Sequence, residues 1–103
     1  MVSSVRQHGS LIIRTEQQDQ SRAIRAEGEL DIATAAALEH SLLHAFESGA
    51  SSIVLDLSEV RFMDAAGLRV VLWAQQHSRD AVDRVRIVAG SAAVNRMLAR
   101  EAC

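Results

Sequence analysis

The side chains best suited to chemistry in this sequence are few and scattered. His40 and His44 stand at i and i+4, a spacing that puts two imidazoles on one face of a helix and can hold zinc. No third ligand accompanies them, so the expectation is a solvated helix face. His8 and His77 each stand alone. Asp56 lies inside the apolar run Ile53–Leu57 and reads as a hydrogen-bonded structural aspartate, because no nucleophile and base pair goes with it. A Gly-rich phosphate loop, paired catalytic carboxylates and a Ser/His/Asp arrangement are all missing from the sequence, so neither an enzyme nor a bound metal or cofactor is expected. Cys103, the one cysteine, is the last residue; it excludes an internal disulfide and leaves a tethering thiol or a crosslinked dimer as its chemistry.

The richest segment runs Val60-Arg61-Phe62-Met63-Asp64-Ala65-Ala66-Gly67-Leu68, from the end of a strand into a helix. Asp64 is placed to cap that helix by accepting from the N–H groups of Ala66 or Gly67, which also sets its charge at the positive end of the helix dipole. Gly67 falls in the first turn, where glycine costs about 1 kcal/mol against alanine. Its presence points either to tight backbone packing or to room for an approaching partner. Further along the helix, Leu68, Val71, Leu72 and Gln75 make an i, i+3, i+4, i+7 stripe for the core. This leaves Ala66, Arg69, Val70, Trp73 and His77 opposite. Arg69 and Trp73 are of the types that most often anchor interfaces, so this side is either a docking surface or one from which Trp73 folds over the helix flank onto a neighbouring element.

These residues must be positioned by a framework that the patterning outlines. Ser10–Thr15 and Ala23–Leu30 read as two strands joined by an exposed loop over Glu16–Ser21. In the second strand Ile24, Ala26, Gly28 and Leu30 alternate with Arg25, Glu27 and Glu29. A helix is predicted over Ala33–Ser48, with Leu38, Leu42, Leu43 and Phe46 inward and Gly49 as its C-terminal stop. Ser52–Leu57 reads as a central strand covered on both faces. A second helix over Ala65–Ser78, a strand over Val85–Ala89 and a third helix over Ala92–Arg100, capped by Ser91, complete the order β-β-α-β-α-β-α. This is an α/β fold whose later strands are parallel because helices connect them.

At 103 residues, 49% apolar and 23% charged, the chain is the size of a single domain over 1–103, with its core at about 10–100. Eleven basic residues against thirteen acidic ones give a net charge of −2. They are interspersed rather than clustered, which argues against nucleic acid as a partner. With no run of roughly 18 apolar residues and no signal sequence, membrane insertion is not expected, and the cytoplasm is the expected compartment.

The run Ile53 to Leu68, read with the earlier Gly28-Glu29-Leu30-Asp31-Ile32-Ala33-Thr34-Ala35, resembles the two recurring motifs of the STAS domain, the family of bacterial anti-sigma-factor antagonists. The resemblance spans about residues 10–100 and implies a STAS-like α/β domain with a mixed sheet and packed helices. It also implies a regulatory protein that works by partner switching. Unmodified, such a protein binds an anti-sigma factor that is a serine kinase of the histidine-kinase-like ATPase type; phosphorylated just after the motif aspartate, it lets go. The implied partner-binding residues are Asp64, Ala65, Ala66 and Gly67, to which the helix pattern adds Arg69 and Trp73.

Where the family usually reads Asp-Ser-Ser-Gly-Leu or Asp-Ser-Thr-Gly-Leu, this chain has Asp64-Ala65-Ala66-Gly67-Leu68. The phosphoacceptor-equivalent positions Ala65 and Ala66 carry no hydroxyl, so the switch is not expected to operate there. Two accounts stand open: a constitutive binder regulated elsewhere, natural or engineered, and an accessory STAS subunit of a lipid- or anion-transport complex. Many relatives also continue past the third helix with a short apolar segment, so the core edge here is expected to be less covered or to be finished by a partner.

Overall fold

The computed structural model describes residues 2–80 and 85–102, and its first element is a strand that the apolar pattern does not announce. β1 (Val2–His8) pairs antiparallel with β2 (Leu11–Gln18), and β2 with β3 (Ser21–Leu30). From Ser3 to His8 every side chain is exposed, so backbone pairing to β2 rather than burial holds this polar edge strand. The sequence suggests a loop over Glu16–Ser21 for the second reversal only, and the turn found there is tighter. Gly9 (φ 59°) turns the first and Asp19 (φ 54°) the second, with Gln18 directly opposite Ser21.

The rest follows the expected alternation: α1 (Ala35–Glu47), β4 (Ser52–Met63), α2 (Ala65–Asp80), β5 (Val85–Val88) and α3 (Ala92–Ala102). The sheet order is β1-β2-β3-β4-β5, antiparallel on the hairpin side, with β3–β4 and β4–β5 parallel. One face carries the core. Leu11, Ile13, Ile24, Ala26, Leu30, Ile53, Leu55 and Leu57 are buried there, each large side chain contributing about 1.5–3 kcal/mol of apolar burial. α1 packs on β3 and α2, while α2 also meets β4, β5 and α3.

β4 corrects two expectations. It runs on to Met63, with register shifts against β3 on either side of Glu27–Gly28. It is also fully buried on one face only, since Val54, Asp56 and Ser58 alternate with the core residues and are half-buried. The second face of the sheet carries ion pairs: Arg14 Nε lies 2.7 Å from Glu27 Oε1, and Arg25 Nε 3.4 Å from Asp56 Oδ2.

The helix faces shift as well. In α1 the buried residues are Ala35, Leu38, Leu42 and Ala45, while Leu43 is exposed. In α2 the buried stripe is Gly67, Val70, Val71 and Ala74, one residue earlier than the pattern starting at Leu68. Gly67 has no side chain to register in a hydrophobic pattern, yet its backbone lies tight against Leu30 of β3, so the stripe begins there. Val70, expected outside, is therefore in the core. Ser91 caps α3 as expected, accepting from Val94 N–H at 3.3 Å while its hydroxyl donates to the carbonyl of Val60. Cys103 lies outside the described residues.

Candidate functional site

At the C-terminal ends of the parallel strands β3 and β4, two turns meet around Asp64. Its Oδ1 accepts from the backbone N–H of Ala66 at 2.9 Å and of Gly67 at 3.1 Å, the predicted cap. Its Oδ2 reaches across to the turn after β3 and accepts from Ile32 N–H at 3.1 Å. The Asp64 N–H in turn donates to the Leu30 carbonyl at 3.2 Å.

The turn that Asp64 grips is itself closed by a reciprocal pair. Asp31 Oδ1 accepts from the N–H groups of Ala33 and Thr34 at 3.0 and 3.1 Å. The Thr34 hydroxyl accepts from Asp31 N–H and donates to the Glu29 carbonyl, both at 2.9 Å. Thr34 is buried, so these bonds fix the entry to α1 before any partner arrives.

Gly67 shows why the two turns sit so close. A Cβ at this position would lie 2.5 Å from the Leu30 carbonyl oxygen and 2.8 Å from Leu30 Cγ. Of the two accounts of this glycine, tight backbone packing is the one the geometry supports. Gly28 plays a matching part on β3: with φ at +108° and a virtual Cβ 2.2 Å from the Ser10 carbonyl oxygen, it lets the β1–β2 turn close over the strand.

The predicted site residues divide by exposure. Ala65 and Arg69 are exposed, Asp64 and Ala66 half-buried and Gly67 buried. Trp73 is half-buried and folds over the flank of α2. Its ring lies 5.4 Å from Phe46 of α1, while His77 stacks on Phe46 at 4.4 Å with the planes 10° apart. The aromatic trio thus seals the α1–α2 seam. Ile32 and Phe62 were missed by sequence reasoning. Ile32 is 83% exposed and Phe62 50%, and both lie beside the Asp64 bridge. The available signal was an isoleucine between Asp31 and Ala33, inside a turn where no core is within reach.

The remaining candidates sit elsewhere. Asp56 lies mid-sheet, where its Oδ1 accepts from Ser58 Oγ at 2.6 Å and from Ser58 N–H at 2.9 Å. Burial works to raise its pKa, but the Ser58 bonds and the Arg25 guanidinium outweigh it and hold the carboxyl below its ordinary value of 3.8. It is a structural aspartate. His40 and His44 are exposed on α1, and among the described residues no three His, Cys, Asp or Glu side chains gather in a way that could hold a metal ion. No helix among them is long and apolar enough to cross a membrane.

The family model described as "Mlab, STAS domain" matches residues 13–101. Among solved structures, an anti-sigma factor antagonist from Mycobacterium paratuberculosis is 27% identical with a TM-score of 0.77, over 90% of this chain and 79% of that one. The anti-sigma factor antagonist SpoIIAA in its unphosphorylated form superposes with a TM-score of 0.69 at 22% identity, over 87% and 80%. A STAS-domain antisigma-factor antagonist from Rhodobacter sphaeroides gives 0.65 at 21%, over 81% and 90%. The last two, at these identities, speak to the fold.

Proposed function

The chain belongs to the STAS domain family, and from that premise we propose that it is a regulatory binding protein of the anti-sigma-factor antagonist kind, non-catalytic, whose partner is an anti-sigma factor of the serine-kinase type. The observation that carries this reading is the Ile32–Asp64 hydrogen bond. It welds two separate motifs into one rigid platform and leaves a large apolar side chain standing in solvent on top of it. An exposed isoleucine on a preformed turn has no folding role, and desolvating it against a partner returns about 1.5–3 kcal/mol. Ala65 lies next to the bridge, and Arg69, one turn on, supplies the cation that such interfaces favour. Asp64 and Gly67 act by holding this surface in shape, Ala66 packs beneath it, and half-buried Trp73 braces the same helix. The likeness to the Mycobacterium antagonist supports the assignment.

Ala65 and Ala66 favour a second reading, in which the same surface clamps the ATPase of a lipid- or anion-transport complex and phosphorylation is never used. Calorimetric titration of the chain with each class of ATPase separates the two. On the first reading the kinase-type anti-sigma factor binds, and Ile32→Asp or Arg69→Glu weakens binding by about tenfold or more with unchanged melting. Binding to the transporter ATPase alone selects the second reading, and full affinity in both variants removes this surface from either.

A further inference from the structure

A cleft of about 370 Å³ lies between the hairpin strands and the flank of α1, and no residue of the Asp64 platform lines it. Arg6 and His8 reach it from β1, Arg22 from β3, and His40 and His44 from α1; the one acidic residue in its lining is Glu16 of β2. Strand register explains the convergence. Arg6 is paired with Ile13 and His8 with Leu11, both core residues, so these β1 side chains project on the helix side of the sheet, beyond the edge of α1.

On the opposite sheet face Arg14 pairs with Glu27, and Arg25 with Asp56 and Glu27. Among the described residues Arg6 and Arg22 have neither an ion pair nor a side-chain hydrogen bond, although Arg22 is half-buried. A guanidinium drawn into a cleft with no carboxylate paired to it leaves its donors and charge for a ligand. The Ser41 hydroxyl on the same wall adds a neutral donor, while those of Thr15 and Ser4 are bonded to each other. The imidazoles do not gather as metal ligands; each adds a ring N–H donor.

From this convergence we propose that the cleft binds a small soluble phosphorylated anion between Arg6, Arg22 and the α1 histidines. The volume suits a small molecule rather than a protein segment. The site is independent of the partner-binding surface, so each can fail without the other.

The test is a titration of the ¹⁵N-labelled chain with pyrophosphate, followed by its amide shifts. Saturable shifts confined to β1, the start of β3 and the middle of α1 are expected. The doubly substituted Arg6→Gln/Arg22→Gln chain should lose about tenfold or more, whereas Arg96→Gln, a charge removed from α3, should change nothing. Shifts that do not saturate, or an equal loss in the Arg96→Gln chain, overturn the proposal. So does association with anionic phospholipid vesicles unaccompanied by pyrophosphate binding, since the phosphate would then come from a lipid surface.

Discussion

The carboxylate of Asp64 is shared between two elements far apart in sequence: one oxygen caps α2 and the other accepts from the backbone N–H of Ile32 at 3.1 Å. A single side chain therefore fixes both the start of a helix and the position of the exposed isoleucine beside it. Because Asp31 and Thr34 have already closed the Ile32 turn from the other side, the platform is ordered in the unbound chain. Association then loses little conformational entropy there.

Removing the carboxylate tests that coupling. Asp64→Ala takes away the helix cap and the Ile32 bond together and should lower unfolding stability by about 1–2 kcal/mol. Asp64→Asn keeps one carbonyl oxygen for the cap but presents its amide to Ile32 N–H, so it should cost less, about 0.5–1 kcal/mol. Urea unfolding of both variants measures this. Equal stability of all three chains would mean that the carboxylate does not hold the platform.

Gly67→Ala sets two effects of opposite sign against each other. Helix propensity favours alanine by about 1 kcal/mol, whereas the new Cβ would stand 2.5 Å from the Leu30 carbonyl oxygen, a backbone atom that cannot step aside. Overpacking of this kind costs about 1–3 kcal/mol or more. Steric exclusion should therefore win, with a net drop in melting temperature. A rise would show that β3 and α2 are less tightly apposed than their geometry indicates.

How much of this could be read from the chain depends on which physical signal each part carries. β3 and the Asp64 cap were legible because strict alternation and a cap residue before a helix are local patterns. β1 was not, because an edge strand of exposed polar residues is specified by its neighbour's backbone and leaves no apolar period. The core stripe of α2 was read one residue late because its first member, Gly67, has no side chain. Trp73 carried two readings of equal chemical merit, and only the position of Phe46 on α1 shows where the ring goes. Ile32 escaped notice because a lone apolar residue in a turn breaks no pattern until its exposure is seen.

Trp73 packs against Phe46, and its truncation should register first in stability. Removal of a well-buried aromatic side chain costs about 3–5 kcal/mol, and for a half-buried ring about 2–3 kcal/mol is expected, including the lost ring contacts. Phe46→Ala should act similarly and the double variant less than additively, since both open the same seam. Thermal melts of the four chains complete the cycle. Unchanged melting in Trp73→Ala, paired with a large loss of partner affinity, would move the ring from the seam to the interface.

Acid stability offers a separate check through Asp56. Its carboxyl is held below 3.8 when folded, so the ionised form stabilises the native state fully above the unfolded value. That contribution disappears as pH falls through the lower folded value. Asp56→Asn should therefore flatten the stability profile below about pH 4 while leaving its shape near neutrality unchanged. Identical acid limbs would show that other carboxylates carry the slope.

The missing hydroxyls predict the sharpest contrast. Ala65 is exposed at the first turn of α2, while Ala66 is half-buried against the core, so only the former position can present a serine to a kinase. With an anti-sigma kinase that accepts a related antagonist, Ala65→Ser should incorporate labelled phosphate, and the parent chain and Ala66→Ser should not. Ser58 and Ser91 are poor substitutes, because Ser58 donates to Asp56 and Ser91 is buried, its hydroxyl engaged with Val60. A phosphate on residue 65 brings about −1.5 to −2 charge next to the Asp64 carboxylate and the apolar surface of Ile32. Partner affinity should then fall by about tenfold or more, through like-charge repulsion and the cost of desolvating the phosphate. Label on the parent chain would place the switch elsewhere, and a phosphorylated Ala65→Ser chain that still binds at full strength would uncouple this turn from partner release.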